Sequence, residues 1–180
     1  MNLAVGRLAL LVGGLVFGAA VLTAGAASAE QQAVKGIISG AMIQKVGFRA
    51  MIQKQAIMYN LAGSARNNPD GTVGLSLQGD KHRIDKVLEA IREGTKRSSR
   101  DNKVNASSAA LDPNLNTFTV FGWTSTSRSI TNPYDLVFRL RPTDEQIPKK
   151  DAQAVWNSIA ESTLKGDDLT KFKNHLGGEE

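Results

Sequence analysis

Residues 62–78 read AGSARNNPDGTVGLSLQ, and this stretch predicts two antiparallel strands joined by a tight turn. Pro69, Asp70 and Gly71 provide the turn, because proline fixes φ, aspartate bonds to nearby backbone and glycine tolerates positive φ. The residues on either side of the turn read as the outgoing and the returning strand. A β-hairpin is therefore expected near the middle of the chain.

A helix is predicted on each side of this hairpin. The earlier helix spans 49–61, and Asn60 can end it because asparagine tolerates the left-handed conformation. The later helix begins at Asp80, a residue type that caps helix N-termini, and stops at Gly94. Apolar residues at helical spacing mark the buried face of each helix: Phe48, Ile52, Ala56 and Tyr59 in the first, and Ile84, Val87, Leu88 and Ile91 in the second.

Further strands are predicted outside the helices, at 31–43, 104–111, 117–124 and 135–141. A polar linker, 125–134, joins the last two of these strands. The core order β-α-β-β-α-β is that of the ferredoxin-like split βαβ fold, an α+β architecture. We therefore expect an antiparallel sheet with the helices on one face.

The chain beyond Pro142 is expected to form a helical extension. Two apolar stripes at helical spacing predict its helices: Ala152, Val155, Trp156 and Ile159, then Leu169, Phe172 and Leu176. Trp156 and Phe172 are expected to pack as core aromatics rather than bind a ligand. The predicted organisation is a leader at 1–29, a domain at 30–142 and the extension at 143–180.

The first 29 residues have the organisation of a secretory signal peptide. Arg7 precedes the apolar stretch 8–23, and a run of small residues ends in Ala27-Ser28-Ala29. Cleavage after Ala29 would leave an exported protein, periplasmic or secreted. The alternative is that the segment stays uncut and anchors the chain in a membrane.

Composition restricts the chemistry that the chain can perform. It contains no cysteine, and its two histidines, His82 and His175, are far apart, which excludes thiolate chemistry and a histidine-rich metal site. Lys plus Arg is 22 against 17 Asp plus Glu, a net charge of +5. The basic cluster Lys96, Arg97, Arg100 and Lys103 lacks interleaved aromatics and reads as a solvated loop, not a nucleic-acid surface.

The loop before the first helix has the features of an anion site. Residues 44–49 read QKVGFR. Backbone N–H groups in a turn that leads into a helix can gather around an anion, and the helix dipole favours negative charge there. Arg49 stands in the first helical turn, where its guanidinium can bond two oxygens of one phosphoryl group.

Asn67 is the second candidate residue. It closes the strand before the turn, and if that strand runs beside the first strand, Asn67 lies near the 44–49 loop. Its amide could then hold a water in line with a phosphorus atom. On spacing alone the alternative stays open that Arg49 forms a surface ion pair and Asn67 only stabilises the turn.

The same residues carry a resemblance to a known family. Four motifs closely resemble those of acylphosphatases: Gln44-x-Val46-Gly47-Phe48-Arg49, Gln53-x-Gln55-Ala56, Gly63-x-x-Arg66-Asn67-x-Pro69-Asp70-Gly71 and Gln78-Gly79. The resemblance implies the ferredoxin-like fold and hydrolysis of the carboxyl–phosphate bond of acyl phosphates. The implied partner is a small acyl phosphate or phosphate anion, with no metal or organic cofactor. The resemblance assigns water positioning to Asn67 and phosphate binding to Gln44, Lys45, Val46, Gly47, Phe48 and Arg49.

The chain departs from the family pattern in the loop and in the first helix. Ala41 and Lys45 stand where the family usually has glycine. If position 45 needs positive φ, lysine there costs about 1 kcal/mol, although its ammonium group could instead contact the phosphate. Ile57 and Met58 replace residues that are commonly charged, so they either lie under the extension or, like the C-terminal helices, offer a contact surface to a protein partner.

Two functions are therefore weighed against each other. One is an exported acylphosphatase; the other is a non-catalytic exported module that binds an anion or a protein on the same fold. Arg49 and Asn67 favour the enzyme, whereas Lys45, Ala41 and the export signal favour the module, because acyl phosphates are chiefly cytoplasmic metabolites. A third hypothesis, a membrane-tethered subunit, requires an uncut leader. We expect the enzyme, and no nucleic-acid partner.

Overall fold

A computed structural model of the chain describes residues 30–100, 102–124, 132–143 and 145–175. The predicted leader, Leu176 and most of the predicted linker lie outside these residues. The described elements are, in chain order, β1 (Gln31–Ser39), α1 (Phe48–Tyr59), β2 (Ala62–Asn67), β3 (Val73–Asp80), α2 (Lys81–Glu93), β4 (Lys103–Ala109), β5 (Thr117–Trp123), β6 (Tyr134–Arg139), α3 (Lys149–Thr163) and α4 (Gly166–His175).

The strands form one sheet in the order β4-β1-β3-β2-β5-β6. Its first four members are antiparallel and make the predicted split βαβ arrangement. The sheet as a whole is mixed rather than antiparallel, because β5 pairs parallel with β2. β4 ends on the side of the sheet where the N-termini of β1 and β2 lie. The connection 110–116 stays on that side, at the ends of the strands. There Gln78 exchanges hydrogen bonds of 2.7 and 2.8 Å with the backbone of Asp112, so β5 starts level with β2.

The C-terminal ends of β1 and β2 lie on the same side of the sheet. The sequence hypothesis that the strand carrying Asn67 runs beside the first strand is wrong, because β3 lies between them. Both β1 and β2 are nevertheless antiparallel to β3, so they run in the same direction. The loop that follows β1 and Asn67 at the end of β2 therefore lie at the same edge.

The helices form one layer over the sheet, and the core lies between. Leu75, Ala65, Val120 and Leu136 pair across four adjacent strands and are all buried. α1 contacts both α2 and α3. The predicted end of the first strand at Ile43 is wrong: β1 stops at Ser39, and Ile43 packs in the core from the following turn.

The predicted helix caps are confirmed. The backbone N–H of Arg83 donates to the side chain of Asp80 over 2.9 Å, which caps α2. Asn60 ends α1 in the left-handed conformation with φ of 51°. Its side chain also donates to the carbonyls of Arg141 and Thr143 and accepts from the N–H of Arg141. One residue thus ends α1 and fixes the start of the extension.

The extension packs on the domain through three aromatic rings. Trp123 of β5, Trp156 of α3 and Phe172 of α4 lie within 6 Å of one another by ring centroid, at 5.9, 5.9 and 5.7 Å. All three are buried, which confirms the prediction that Trp156 and Phe172 are core residues. Lys54 of α1 places its ammonium 4.5 Å from the centre of the Trp156 ring.

The extension also covers part of α1. Ile57 is buried, and Met58 is partly buried with its carbonyl accepting from Ile147 at 3.1 Å. Ile57 therefore offers no surface to a protein partner, whereas the side chain of Met58 stays partly exposed. Within the described ranges no helix has the length and apolarity needed to cross a membrane.

Candidate active site

The loop between β1 and α1 contains two residues in the left-handed conformation. Lys45 has φ of 63° and Gly47 has φ of 78°. Left-handed residues at alternate positions allow a turn to gather backbone N–H groups around an anion. Lysine at φ of 63° carries the strain expected for a side chain in this region, about 1 kcal/mol. Position 45 therefore has the backbone geometry that favours glycine.

Gln44 fixes this loop against the neighbouring hairpin. Its side-chain Nε2 donates to the carbonyls of Asn68 and Thr72, at 2.9 and 2.8 Å. The amide of Gln44 is thus bound to the β2–β3 turn, and the loop is held beside the end of β2. Val46 is partly buried against the core. Gln44 thus fixes the loop by hydrogen bonds to the hairpin, and Val46 fixes it by packing on the core.

Arg49 is the second residue of α1, and it reaches across to β5. Its Nη1 donates to the carbonyls of Phe121 and Gly122, the latter at 3.1 Å. Burial lowers the pKa of the guanidinium from its usual value, yet arginine stays charged at neutral pH. Among the described residues, no ion pair involves Arg49. The structure therefore shows no surface ion pair of Arg49 within the described ranges, where its Nε and Nη2 also have no hydrogen-bond partner and remain for a ligand.

Asn67 lies at the end of β2 in register with Val73. Its Oδ1 is buried and has no hydrogen-bond partner among the described residues. The turn is held by its neighbours instead: Asn68 donates to the Thr72 hydroxyl over 2.9 Å, and Asp70 accepts from the N–H and hydroxyl of Thr72. Those bonds lower the pKa of the Asp70 carboxyl, the Thr72 hydroxyl contributing most. Stabilising the turn is thus the role of Asn68 and Asp70.

A surface depression brings Arg49 and Asn67 together. It encloses about 330 Å³ of space, some of it open to solvent, and is lined by Ile43, Lys45, Gly47, Phe48, Arg49, Ala50, Asn67, Trp123 and Thr124. The described lining residues include two with a positive charge, Lys45 and Arg49, and none with a carboxylate. Of the predicted loop residues, Lys45, Gly47 and Phe48 reach the depression, whereas Gln44 and Val46 do not line it. Such a surface can bind an oxyanion and hold a water molecule beside it.

Four lining residues were not predicted from the sequence. Ile43 and Ala50 are the residues directly before and after the predicted 44–49 segment, so their position in the sequence could have indicated them. Trp123 and Thr124 come from the end of β5, and finding them requires the parallel pairing of β5 with β2. Within the described residues, no three His, Asp or Glu side chains cluster in a way suited to a metal ion.

Comparison with known proteins identifies the family. The acylphosphatase family model matches residues 34–120. The chain is 48% identical over 63 residues to the acylphosphatase of Methanocella arvoryzae, covering 35% of this chain and 70% of that protein. It is 46% identical over 63 residues to the acylphosphatase of Chlorobaculum tepidum, covering 35% and 67%.

A solved structure is also similar to part of the chain. The crystal structure of acylphosphatase from Bacillus subtilis aligns with 49% of this chain and 96% of its own, at 25% identity and a TM-score of 0.45. The residues matched by the family model include the whole β1–α1 loop and the end of β2. On the sequence identity and the coverage of these relatives, the chain belongs to the acylphosphatase family.

Proposed function

We propose that this protein hydrolyses the carboxyl–phosphate bond of acyl phosphates. The 44–48 loop and Arg49 hold the phosphoryl group, and Asn67 positions the attacking water. One observation carries the proposal: Arg49 and Asn67, from separate elements, line one positive depression, and the buried Oδ1 of Asn67 has no hydrogen-bond partner in the described parts of the chain. A buried acceptor of this kind normally has a partner, and a water molecule can supply the missing hydrogen bond.

The geometry fits a reaction in which the protein provides position and charge. Arg49, held at Nη1, has Nε and Nη2 for two phosphoryl oxygens, and the 44–48 loop offers backbone N–H groups to the same anion. A water molecule that donates a hydrogen bond to Oδ1 of Asn67 attacks phosphorus, and its protons remain with the inorganic phosphate that forms. The bond from phosphorus to the bridging oxygen breaks, and a carboxylate leaves with that oxygen. A carboxylate is a stable leaving group, so positioning and electrostatic stabilisation suffice for most of the catalysis.

The purified protein, assayed with a small acyl phosphate, tests the proposal directly. We expect release of inorganic phosphate and competitive inhibition by added inorganic phosphate. A phosphate monoester serves as the control and is expected to react far more slowly, because its alkoxide is a poorer leaving group. A folded protein that binds phosphate but releases none from the acyl phosphate would contradict the enzyme.

That last outcome would support the second candidate, a non-catalytic module that binds an anion. The observation in its favour is Lys45, which occupies the left-handed position with an exposed side chain. A strained residue there can shift the loop N–H groups from the phosphate. Phosphate binding without turnover separates this module from the enzyme.

Lys45→Gly is expected to stabilise the protein by about 1 kcal/mol, because glycine adopts the left-handed conformation without strain. We also expect it to raise activity. Denaturant unfolding and phosphate titration at two salt concentrations measure the two effects. Lys45→Ala is the matched control, since it removes the charge and keeps the strained Cβ. If the ammonium group binds phosphate, both variants will bind it more weakly, and the loss will be larger at low salt.

We further propose that the protein is exported and begins at Glu30 when mature. The small-residue run ending in Ala27-Ser28-Ala29 supports cleavage at that point. Amino-terminal sequencing of the protein from an extracytoplasmic fraction is expected to start at Glu30. A chain that retains Met1 in the membrane fraction would support the tethered alternative instead.

A further inference from the structure

We infer that β6 and the C-terminal extension together position Arg49, by fixing the two β5 carbonyls to which its guanidinium donates. The inference rests on the proposed role of Arg49 in holding phosphate. It assigns positioning roles to Asp135, Trp123 and Phe172. All three lie beyond the residues that the family model matches, which end at position 120.

The first step is an irregularity at the end of β5. Its pairing with β6 shifts register between Val120 and Trp123, and Gly122 lies within the shift with φ of 58°. A bulge releases backbone groups from the regular ladder and turns them in a new direction. Here the carbonyls of Phe121 and Gly122 accept from Nη1 of Arg49. The bulge thus provides the two carbonyl acceptors that bind Nη1 of Arg49.

The second step concerns what holds the bulge in place. On one side, the N–H of Gly122 donates to Oδ1 of Asp135 on β6 at 2.9 Å. On the other side, Trp123 is 2% exposed and meets Trp156 and Phe172 edge-on, with interplanar angles of 79° and 80°. The bulge therefore lies between a hydrogen bond to β6 and an aromatic contact with the extension.

The third step concerns the extension itself. The side chains of Tyr134 and Asn132 both donate to Oδ2 of Asp168, at 2.8 and 2.9 Å, and Asp168 is buried. Asp168 precedes Phe172 on α4 by one helical turn. These bonds tie α4 to β6, and so fix the ring of Phe172 against Trp123. A continuous set of contacts runs from α4 to the guanidinium of Arg49.

These contacts determine the orientation of the remaining donors of Arg49, Nε and Nη2. With Nη1 bound, the guanidinium plane is set, and its Nε and Nη2 form a fixed pair of donors for two oxygens of one anion. A side chain already ordered before binding loses less conformational entropy when the ligand arrives. Loosening the bulge would leave Arg49 charged and present but not oriented.

The decisive variants act on the bulge without touching the depression. Asp135 is exposed, so Asp135→Ala should fold normally, whereas Asp135→Asn keeps an oxygen that can accept from Gly122. We expect Asp135→Ala and Phe172→Ala each to weaken the binding of inorganic phosphate by about tenfold. Asp135→Asn should bind phosphate within about twofold of the wild type, since it retains the acceptor.

Two further measurements separate positioning from plain stability. Val87→Ala, in the buried face of α2 and away from β5, lowers stability and should leave phosphate binding unchanged. Side-chain NMR of Arg49 needs no phosphate: restricted, distinct Nη signals are expected in the wild type and Asp135→Asn, and averaged signals in Asp135→Ala. Unchanged Arg49 signals in Asp135→Ala would overturn the inference. A wild type with ordered Arg49 signals that binds no phosphate would overturn the proposed function and leave the Arg49 contact standing.

Discussion

Arg49→Ala is expected to abolish both phosphate binding and turnover. The variant removes a guanidinium that lines the depression, with its two remaining donors, Nε and Nη2, and its positive charge. Loss of a bidentate, charge-assisted contact should weaken phosphate binding roughly 100-fold or more. Turnover should fall further, by about 1,000-fold, because the developing charge loses its main stabilising group. Phosphate titration by calorimetry and steady-state kinetics measure the two losses.

Asn67→Ala is expected to behave differently. In the proposed mechanism Asn67 orients the attacking water, which matters only in the chemical step. Phosphate should therefore bind as in the wild type while kcat falls about 100-fold. The neighbouring Asn68 offers a matched control. Asn68→Ala removes a hydrogen bond within the turn, and should lower stability slightly with little change in kcat. Equal losses of phosphate binding in Arg49→Ala and Asn67→Ala, both folded, would contradict separate roles.

Gly63→Ala is expected to cause the largest loss of stability. Gly63 is the second residue of β2 and has φ of 141°, and a Cβ there would lie 2.0 Å from the carbonyl oxygen of Ser76 on β3. That oxygen belongs to the paired neighbouring strand, so it cannot withdraw without breaking the pairing that carries Asn67. Strain and overpacking together should reduce the free energy of unfolding by roughly 3 kcal/mol or more.

Gly71→Ala is the control for this change. Gly71 also has positive φ, 88°, but no atom lies within 4 Å of the added Cβ. Only the backbone strain applies, so the expected loss is about 1 kcal/mol. Urea unfolding of both variants gives the comparison. Similar losses in the two proteins would show that β3 moves aside to accept the methyl group.

The local elements could be predicted from the sequence because short-range chemistry decides them. The strand 62–67, the cap at Asp80 and the left-handed end at Asn60 each depend on residues within a few positions. The strain at Lys45 was foreseen for the same reason, since a single φ determines it. Arg49 and Asn67 were also found from motifs close to their own positions, and they line one depression.

The long-range arrangement could not be predicted in the same way. The position of β3 between β1 and β2, and the parallel pairing of β5, depend on which strands meet in space. Trp123 and Thr124 were missed because only that pairing brings them to Arg49. The different contacts of Asn67 and Asn68 were likewise visible only in three dimensions. Among the described residues, Oδ1 of Asn67 has no hydrogen-bond partner, whereas Asn68 donates to the Thr72 hydroxyl.

The parallel pairing of β2 with β5 has a consequence for the order of folding. The β2–β3 hairpin and α2 are local and can form early, whereas the β2–β5 pairing joins the middle of the chain to its last third and must first overcome the entropy of closing a long loop. The wall of the depression supplied by Trp123 and Thr124 is therefore completed late. A partly folded chain with its hairpin already formed would have no place for an anion, so phosphate would recognise only the finished protein and slow its unfolding.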